Sequence, residues 1–316
     1  MGEINDDKAE HVIPFILPLL DQHRKKHSSS PNPPPFFIGL NGVQGAGKSV
    51  LVDILKSTLR SEPHRLSTAV FSLDDLYLTH DDQVALARAN PDNPLLQHRG
   101  QPSTHDVQLG LSVFADLKAN RPTKIPQYNK ALFSGQGDRV PASEWEQVNS
   151  DSSNRVQVVL FEGWSVGFRP LEDEDLEKKH AEAVTACRNA TTDTPYLGRL
   201  GHNTLQSVKT INEALKSYDQ LTSQLDAFVH IDAADPQYVY QWRLQQEAGL
   251  RAAKGSGMTD DEVKHFVDGY YPAYELYTDT LRSGVFRGIM QDPDWRGKQL
   301  RLVVDANRKV KHVIQI

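Results

Sequence analysis

"FFIGLNGVQGAGKSVLVDIL", residues 36–55, decides the fold. "FFIGL" is short and apolar, follows Pro33-Pro34-Pro35 and is bounded by turn signals, as a buried parallel strand should be. Next comes Gly42-x-x-x-x-Gly47-Lys48-Ser49, the spacing of a phosphate-binding loop. "KSVLVDILKSTLR" then sets Val50, Leu51, Ile54, Leu55 and Leu59 at a helical period. In such a loop the glycines let the backbone wrap an anion, consecutive N–H groups point at it, and the helix adds its positive end. The nucleotide-binding candidates are therefore Gly42, Gln44, Gly45, Ala46, Gly47, Lys48, Ser49 and Val50. Lys48 is expected to reach the β- and γ-phosphates, and Ser49 to hold Mg²⁺.

Composition narrows what surrounds this loop. The 316 residues suit one large α/β domain with insertions or two average domains. With 38% hydrophobic and 24% charged residues the chain has an ordinary globular balance. A formal net charge of -6 argues against a nucleic-acid footprint, which needs a basic face. One cysteine, Cys187, leaves no internal disulfide and fits a reducing compartment. "HVIPFILPLL" (11–20) is too short to span a bilayer, carries Pro14 and Pro18, and follows an acidic stretch rather than a basic one. It reads as part of an amphipathic helix over residues 1–27 packing on the body of the protein. The cytosol is the expected compartment, with nuclear presence left open and no membrane or nucleic-acid partner.

Outward from the loop, strands and helices alternate. "TAVFSL" (68–73), "RVQVVLFEGW" (155–164), "DAFVHIDA" (226–233) and "QLRLVV" (299–304) supply further strands, and the last residues read as a turn followed by one further candidate strand. "STHDVQLGLSVFADLKA" opens with capping residues and continues as a helix, and helices are expected near 236–254 and 259–281. This order predicts an α/β fold with a mostly parallel central sheet of about five strands, helices on both faces and long inserted loops. Residues 1–35 read as an N-terminal helix and linker, and 36–316 as one P-loop domain. The stretches 121–153 and 188–205, rich in Gly, Ser, Asn and Asp, read as functional excursions from that core.

A P-loop enzyme needs a carboxylate at a neighbouring strand end to manage Mg²⁺ or its waters. Asp74 follows "AVFSL" and Glu162 follows "VQVVLF", both at the carboxyl edge of the sheet, where ligands of open α/β sheets bind. Asp75 is adjacent to Asp74, and the two do not easily point into one site. Phosphoryl transfer to an alcohol needs a base and cations, and Asp74 is the expected base. Candidate cations are Arg99 in "QHRGQPSTHD", Lys130 and Arg139 in "YNKALFSGQGDR", and Arg243 in "YQWRLQQE". His105–Asp106 is either a site pair or a helix cap. No Cys/His spacing points to a transition metal. "LFSGQ" (132–136) is superficially like the ABC ATPase loop, but the acidic strand ends Phe161-Glu162-Gly163 without Asp. "NKAL" (129–132) lacks the Asp of a guanine-binding motif.

"LNGVQGAGKS", "SLDDLYLT", "RGQPSTHD", "IPQYNKALFSGQGDR", "VVLFEGWSVGF" and "VYQWRLQQE…GMTDDEVKHFVDGYYPAYELY" together resemble the glycerate kinase family and its fungal ATP-dependent kinase relatives. These belong with uridine kinase, phosphoribulokinase and bacterial pantothenate kinase, and the blocks run in order over residues 36–280. The resemblance implies a P-loop kinase fold, ATP with Mg²⁺, and transfer to a small hydroxylated metabolite, D-glycerate first. It puts Asp74 on the substrate-side base, Glu162 on the acidic-strand glutamate, partly water-bridged to Mg²⁺, and Tyr128 on a substrate-pocket tyrosine. Arg243 falls on a lid arginine over the phosphates, and Asn307 lies near the adenine. The expected acceptor pocket is Asp74, Tyr77, Arg99, His105, Tyr128, Lys130 and Arg139, with Asp74, Lys48, Glu162 and Arg243 as the catalytic set. Two positions depart from the family: Asn129 stands for an Asp, and Ser103 for a Gly. Other acceptors (a sugar, a nucleoside, a pantoate-like compound) and a catalytically weak ATP-binding regulator stay open.

Overall fold

The structure is a computed structural model and describes residues 6–151, 154–255, 257–291 and 293–316. In chain order its strands are β1 (Phe36–Gly42), β2 (Thr68–Ser72), β3 (Thr123–Ile125), β4 (Tyr128–Asn129), β5 (Asp138–Arg139), β6 (Glu146–Val148), β7 (Val158–Gly163), β8 (Ala227–Ala233), β9 (Gln299–Val304) and β10 (Val310–Gln315). The helices are α1 (Ala9–Lys26), α2 (Lys48–Arg60), α3 (His80–Ala89), α4 (Val107–Lys118), α5 (Asp173–Arg188), α6 (Leu205–Leu215), α7 (Asp219–Thr222), α8 (Tyr238–Lys254) and α9 (Asp260–Ser283).

The apolar runs read as strands form one six-stranded sheet, ordered β10-β9-β8-β1-β7-β2. The five from β9 to β2 pair in parallel, as expected, and β10 adds an antiparallel edge. β1 is buried at every position because it lies between β7 and β8 with helices on both sides. On one face α1 and α2 bring Val12, Phe15, Ile16, Leu20, Leu51 and Leu55 against Ile38, Leu40, Val158 and Val229. On the other, α4, α6 and α9 cover Phe37, Phe71, Phe161 and Phe228 with Phe114, Ile211 and Tyr277. Each such buried side chain stabilises the fold by about 1.5–3 kcal/mol.

The expected N-terminal helix is α1, starting at Ala9; residues 1–5 of that expectation lie outside the described residues. Pro14 and Pro18 sit inside it without ending it. The excursion over 121–153, apart from Ser152 and Ser153, which lie outside the described residues, folds into two small ribbons, β3 with β6 and β4 with β5. The excursion over 188–205 contains a short 3-10 turn, Leu200–His202. Among the described residues no helix is long and apolar enough to cross a membrane.

Candidate active site

The carboxyl ends of β1, β2 and β7 converge, because in register Leu40 and Ser72 both face Glu162 of β7. At the end of β1 the chain turns through Gly45 (φ 81°) and Gly47 (φ 96°), which a side chain would strain. A Cβ on Gly45 would lie 2.6 Å from the Cβ of Trp242 on α8. The Gly45 carbonyl accepts from Arg308 Nε at 2.6 Å, and Trp242 Nε1 donates to the Ala306 carbonyl at 2.7 Å. The Arg308 guanidinium lies over the Trp242 ring at 5.2 Å. The turn that carries exposed Asn307 is thereby clasped to the loop. Ala46 is fully buried, and Ser49 and Val50 open α2.

The N–H groups of Gly45, Gly47, Lys48 and Ser49 donate to no acceptor among the described residues. Lys48 Nζ donates to the Gly42 carbonyl at 2.8 Å. Burial pulls the Lys48 ammonium below its ordinary value, while the Glu162 and Asp74 carboxylates work to keep it charged. Undonated amides, an ammonium and two carboxylates on one side fit a polyphosphate with a divalent cation.

Asp74 and Asp75 divide the work. Both lie in the 3-10 turn Leu73–Leu76 after β2. Asp75 is turned into the frame: it accepts from Ser72 N at 3.3 Å and from Tyr128 N at 3.1 Å, and burial raises it to about 6. Asp74 lies within electrostatic reach of Lys48 and takes Lys130 Nζ at 2.5 Å on Oδ2. Burial opposes its ionisation, but the Lys130 ammonium outweighs that and holds the carboxyl below its ordinary value. Its Oδ1 is buried with no partner among the described residues.

The acceptor side is walled by aromatic rings. Tyr77 stacks on His105 (4.4 Å, 23°) and meets Tyr128 edge-on at 5.3 Å. The Arg99 guanidinium lies 6.0 Å from the Tyr77 centroid and 5.7 Å from that of Tyr128. Arg99 also donates to the Gly135 carbonyl at 2.7 Å and to that of Gln136, which ties down the loop after β4. Tyr270 on α9 donates to the Arg99 carbonyl at 3.0 Å, and its ring leaves no room for a Cβ on Gly100.

Most of the expected residues gather here, in different capacities. Arg139 is a strut: it donates to the Tyr77 carbonyl at 2.9 Å and to Asp106 at 3.4 Å. Asp106 itself caps α4 by accepting from Leu109 N. Arg243 on α8 pairs with Glu247 at 3.3 Å and lies over Phe266 at 5.1 Å, and its Nε is buried without a partner among the described residues. Asn129 is exposed, and its Oδ1 accepts from Ala131 N at 3.0 Å, a turn bond that Asp makes equally well. Ser103 has φ 93°, where glycine is at ease. Sequence reading gave no role to Trp164, whose ring meets that of Tyr270 at 4.8 Å, nor to Tyr218 or Tyr270. The first and last lie in quoted blocks, whereas Tyr218, bonded to His105 at 2.7 Å, stands in an unremarkable helical stretch.

No protein-family model matches the chain. It is 38% identical over 278 residues to the uncharacterized kinase mug58 of Schizosaccharomyces pombe, covering 87% of this chain and 91% of that one. It is 35% identical over 306 residues to the chloroplastic D-glycerate 3-kinase of Arabidopsis thaliana, covering 94% of this chain and 59% of that longer protein. Among solved structures, D-glycerate 3-kinase from Cryptococcus neoformans var. grubii superposes with a TM-score of 0.84 at 36% identity, over 99% of this chain and 100% of that one. A loop, a strand-end carboxylate pair and a fold shared over nearly the whole length lead to one statement: the chain belongs to the kinase family of D-glycerate 3-kinase and its fungal relatives.

Proposed function

We propose that this kinase transfers the γ-phosphoryl group of ATP to a hydroxyl of D-glycerate. The observation that carries the reading is Asp74, held ionised by Lys130 at 2.5 Å beside the Lys48 loop, in a chain of this family. The amides of Gly45, Gly47, Lys48 and Ser49 and the Lys48 ammonium hold the β- and γ-phosphates. Ser49 and Glu162, the latter partly through water, would hold Mg²⁺, which would supply charge neutralisation on the phosphates. Asp74 takes the proton of the attacking hydroxyl. Arg99, framed by Tyr77 and Tyr128, receives the carboxylate of the acceptor as a fixed cation. Lys130 holds Asp74 and meets the transferring group, Arg139 braces the pocket wall, Arg243 approaches the phosphates from α8, and Asn307 lies on the adenine side. A catalytically weak regulator gains no support from Asn129, whose side chain serves a turn. The cytosol is the compartment proposed.

Purified protein with Mg-ATP is expected to release ADP and phosphoglycerate when D-glycerate is added. ATP binding without ADP release above background at saturating D-glycerate would remove glycerate as the acceptor. A panel of sugars, nucleosides and hydroxy acids would then identify the replacement.

A further inference from the structure

A neutral imidazole carries its hydrogen on one of two nitrogens, and the surroundings of His105 decide between them. The residue is 5% exposed, and its Nδ1 lies 2.7 Å from the Tyr218 hydroxyl. Among the described residues no other acceptor lies within hydrogen-bond distance of that hydroxyl. With no other acceptor to take it, the hydroxyl hydrogen goes to Nδ1, which leaves the imidazole hydrogen on Nε2. Burial lowers His105 to about 4, so the ring is neutral at physiological pH, although the nearby Asp74 charge acts the other way. Nε2–H is thus a buried donor with no partner among the described residues. Asp74 Oδ1 is a buried acceptor with none, its other oxygen being occupied by Lys130.

An orphaned donor and an orphaned acceptor within electrostatic reach of one another are what a hydroxyl group satisfies at once. We infer that His105 positions the reacting hydroxyl of the acceptor: its Nε2–H donates to the hydroxyl oxygen while Asp74 Oδ1 accepts the hydroxyl hydrogen. Tyr218 is then a positioning residue that locks the tautomer from 113 residues away in the chain. During transfer the hydroxyl O–H bond breaks, its proton passes to Asp74, the oxygen bonds the γ-phosphorus, and the bond from that phosphorus to ADP breaks. His105 keeps its proton throughout. The inference rests on the kinase reading of this site. It also implies selectivity, because a protonated amine in place of the hydroxyl has no lone pair for Nε2–H.

Two measurements on the full-length protein test it. In ¹⁵N-labelled protein, with the His105 resonances assigned by their loss in His105→Phe, the ring is expected as the Nε2–H tautomer, neutral well below pH 6.5. An Nδ1–H tautomer, or titration near the ordinary value, overturns the inference. In kinetics, the double variant His105→Phe/Tyr218→Phe keeps the ring stack and leaves no orphaned hydroxyl. Its KM for D-glycerate is expected to rise about tenfold or more with the KM for ATP little changed. His105→Gln, which restores an N–H donor, is expected to recover part of that loss. An unchanged KM for D-glycerate in the folded double variant overturns the inference. If the wild type itself does not turn over D-glycerate, the proposed function falls, and the tautomer measurement alone decides the His105 assignment.

Discussion

The loop that faces the nucleotide and the pocket that faces the acceptor share one edge of one sheet, yet they are made of different material. The loop is backbone: glycine conformations, undonated amides and one lysine, all within residues 42–50. The pocket is side chain: Asp74 from the turn after β2, Arg99 from a loop, His105 before α4, Tyr128 and Lys130 from a ribbon, Tyr270 from α9. A backbone site tolerates changes around it and specifies a chemical class. A side-chain site gathered from separate segments specifies one ligand and transmits every local change.

Single substitutions separate the two halves most sharply. Lys48→Ala removes the charge that follows the migrating phosphate, so both ATP affinity and turnover are expected to fall, turnover by at least about 10²-fold. Asp74→Ala is expected to cost about 10²–10⁴-fold in turnover while ATP affinity changes little. Steady-state rates beside nucleotide titrations read the contrast. A loss of ATP affinity in Asp74→Ala equal to that in Lys48→Ala would merge the two halves.

Next in size is a dependence of stability on pH. His105 and His230 both have folded values near 4, lowered chiefly by burial, against an ordinary 6.5. His230 faces Asp232, Arg282 and Arg301, and His105 faces Asp74 and Lys130. Their contribution is complete above pH 6.5 and is lost as the pH falls toward 4, because the unfolded chain takes up protons first. Asp75, raised to about 6, acts oppositely, since the folded state binds its proton first. Two against one leaves a net loss on the order of 3 kcal/mol across that window. Urea unfolding at several pH values measures it, and Asp75→Asn should steepen the slope.

Two smaller substitutions test the departures from the family. Ser103→Gly should stabilise the fold by about 0.5–1 kcal/mol, because φ 93° suits glycine. Thermal unfolding reads this, and a destabilised variant would show that the Ser103 side chain holds the turn. Asn129→Asp should stay within about 0.5 kcal/mol in stability and leave the KM for D-glycerate unaltered, since either side chain accepts from Ala131 N.

What was legible in the sequence follows the same division. The loop, the strands and the strand-end carboxylates are written in contiguous runs, where apolar period and glycine spacing report local geometry, whereas the order of the strands in the sheet is not. The separate duties of Asp74 and Asp75 are not, since both have the same chemistry and the backbone N–H groups of Ser72 and Tyr128 decide which one is structural. Nor is Arg139 as a strut, which depends on where the Tyr77 carbonyl lies. Tyr218 was invisible because nothing near it in the chain marks it; its meaning comes from His105 alone.

The clasp of Arg308 on the Gly45 carbonyl spans 263 residues. During synthesis the phosphate loop leaves the ribosome 263 residues ahead of the arginine that clasps it. β1 also waits for β7 and β8, its partners on either side, which come later in the chain than the loop. The nascent protein therefore carries a complete motif with no settled shape, and a nucleotide that prefers the finished loop acts late, as a ligand that stabilises the completed fold rather than as a template for it.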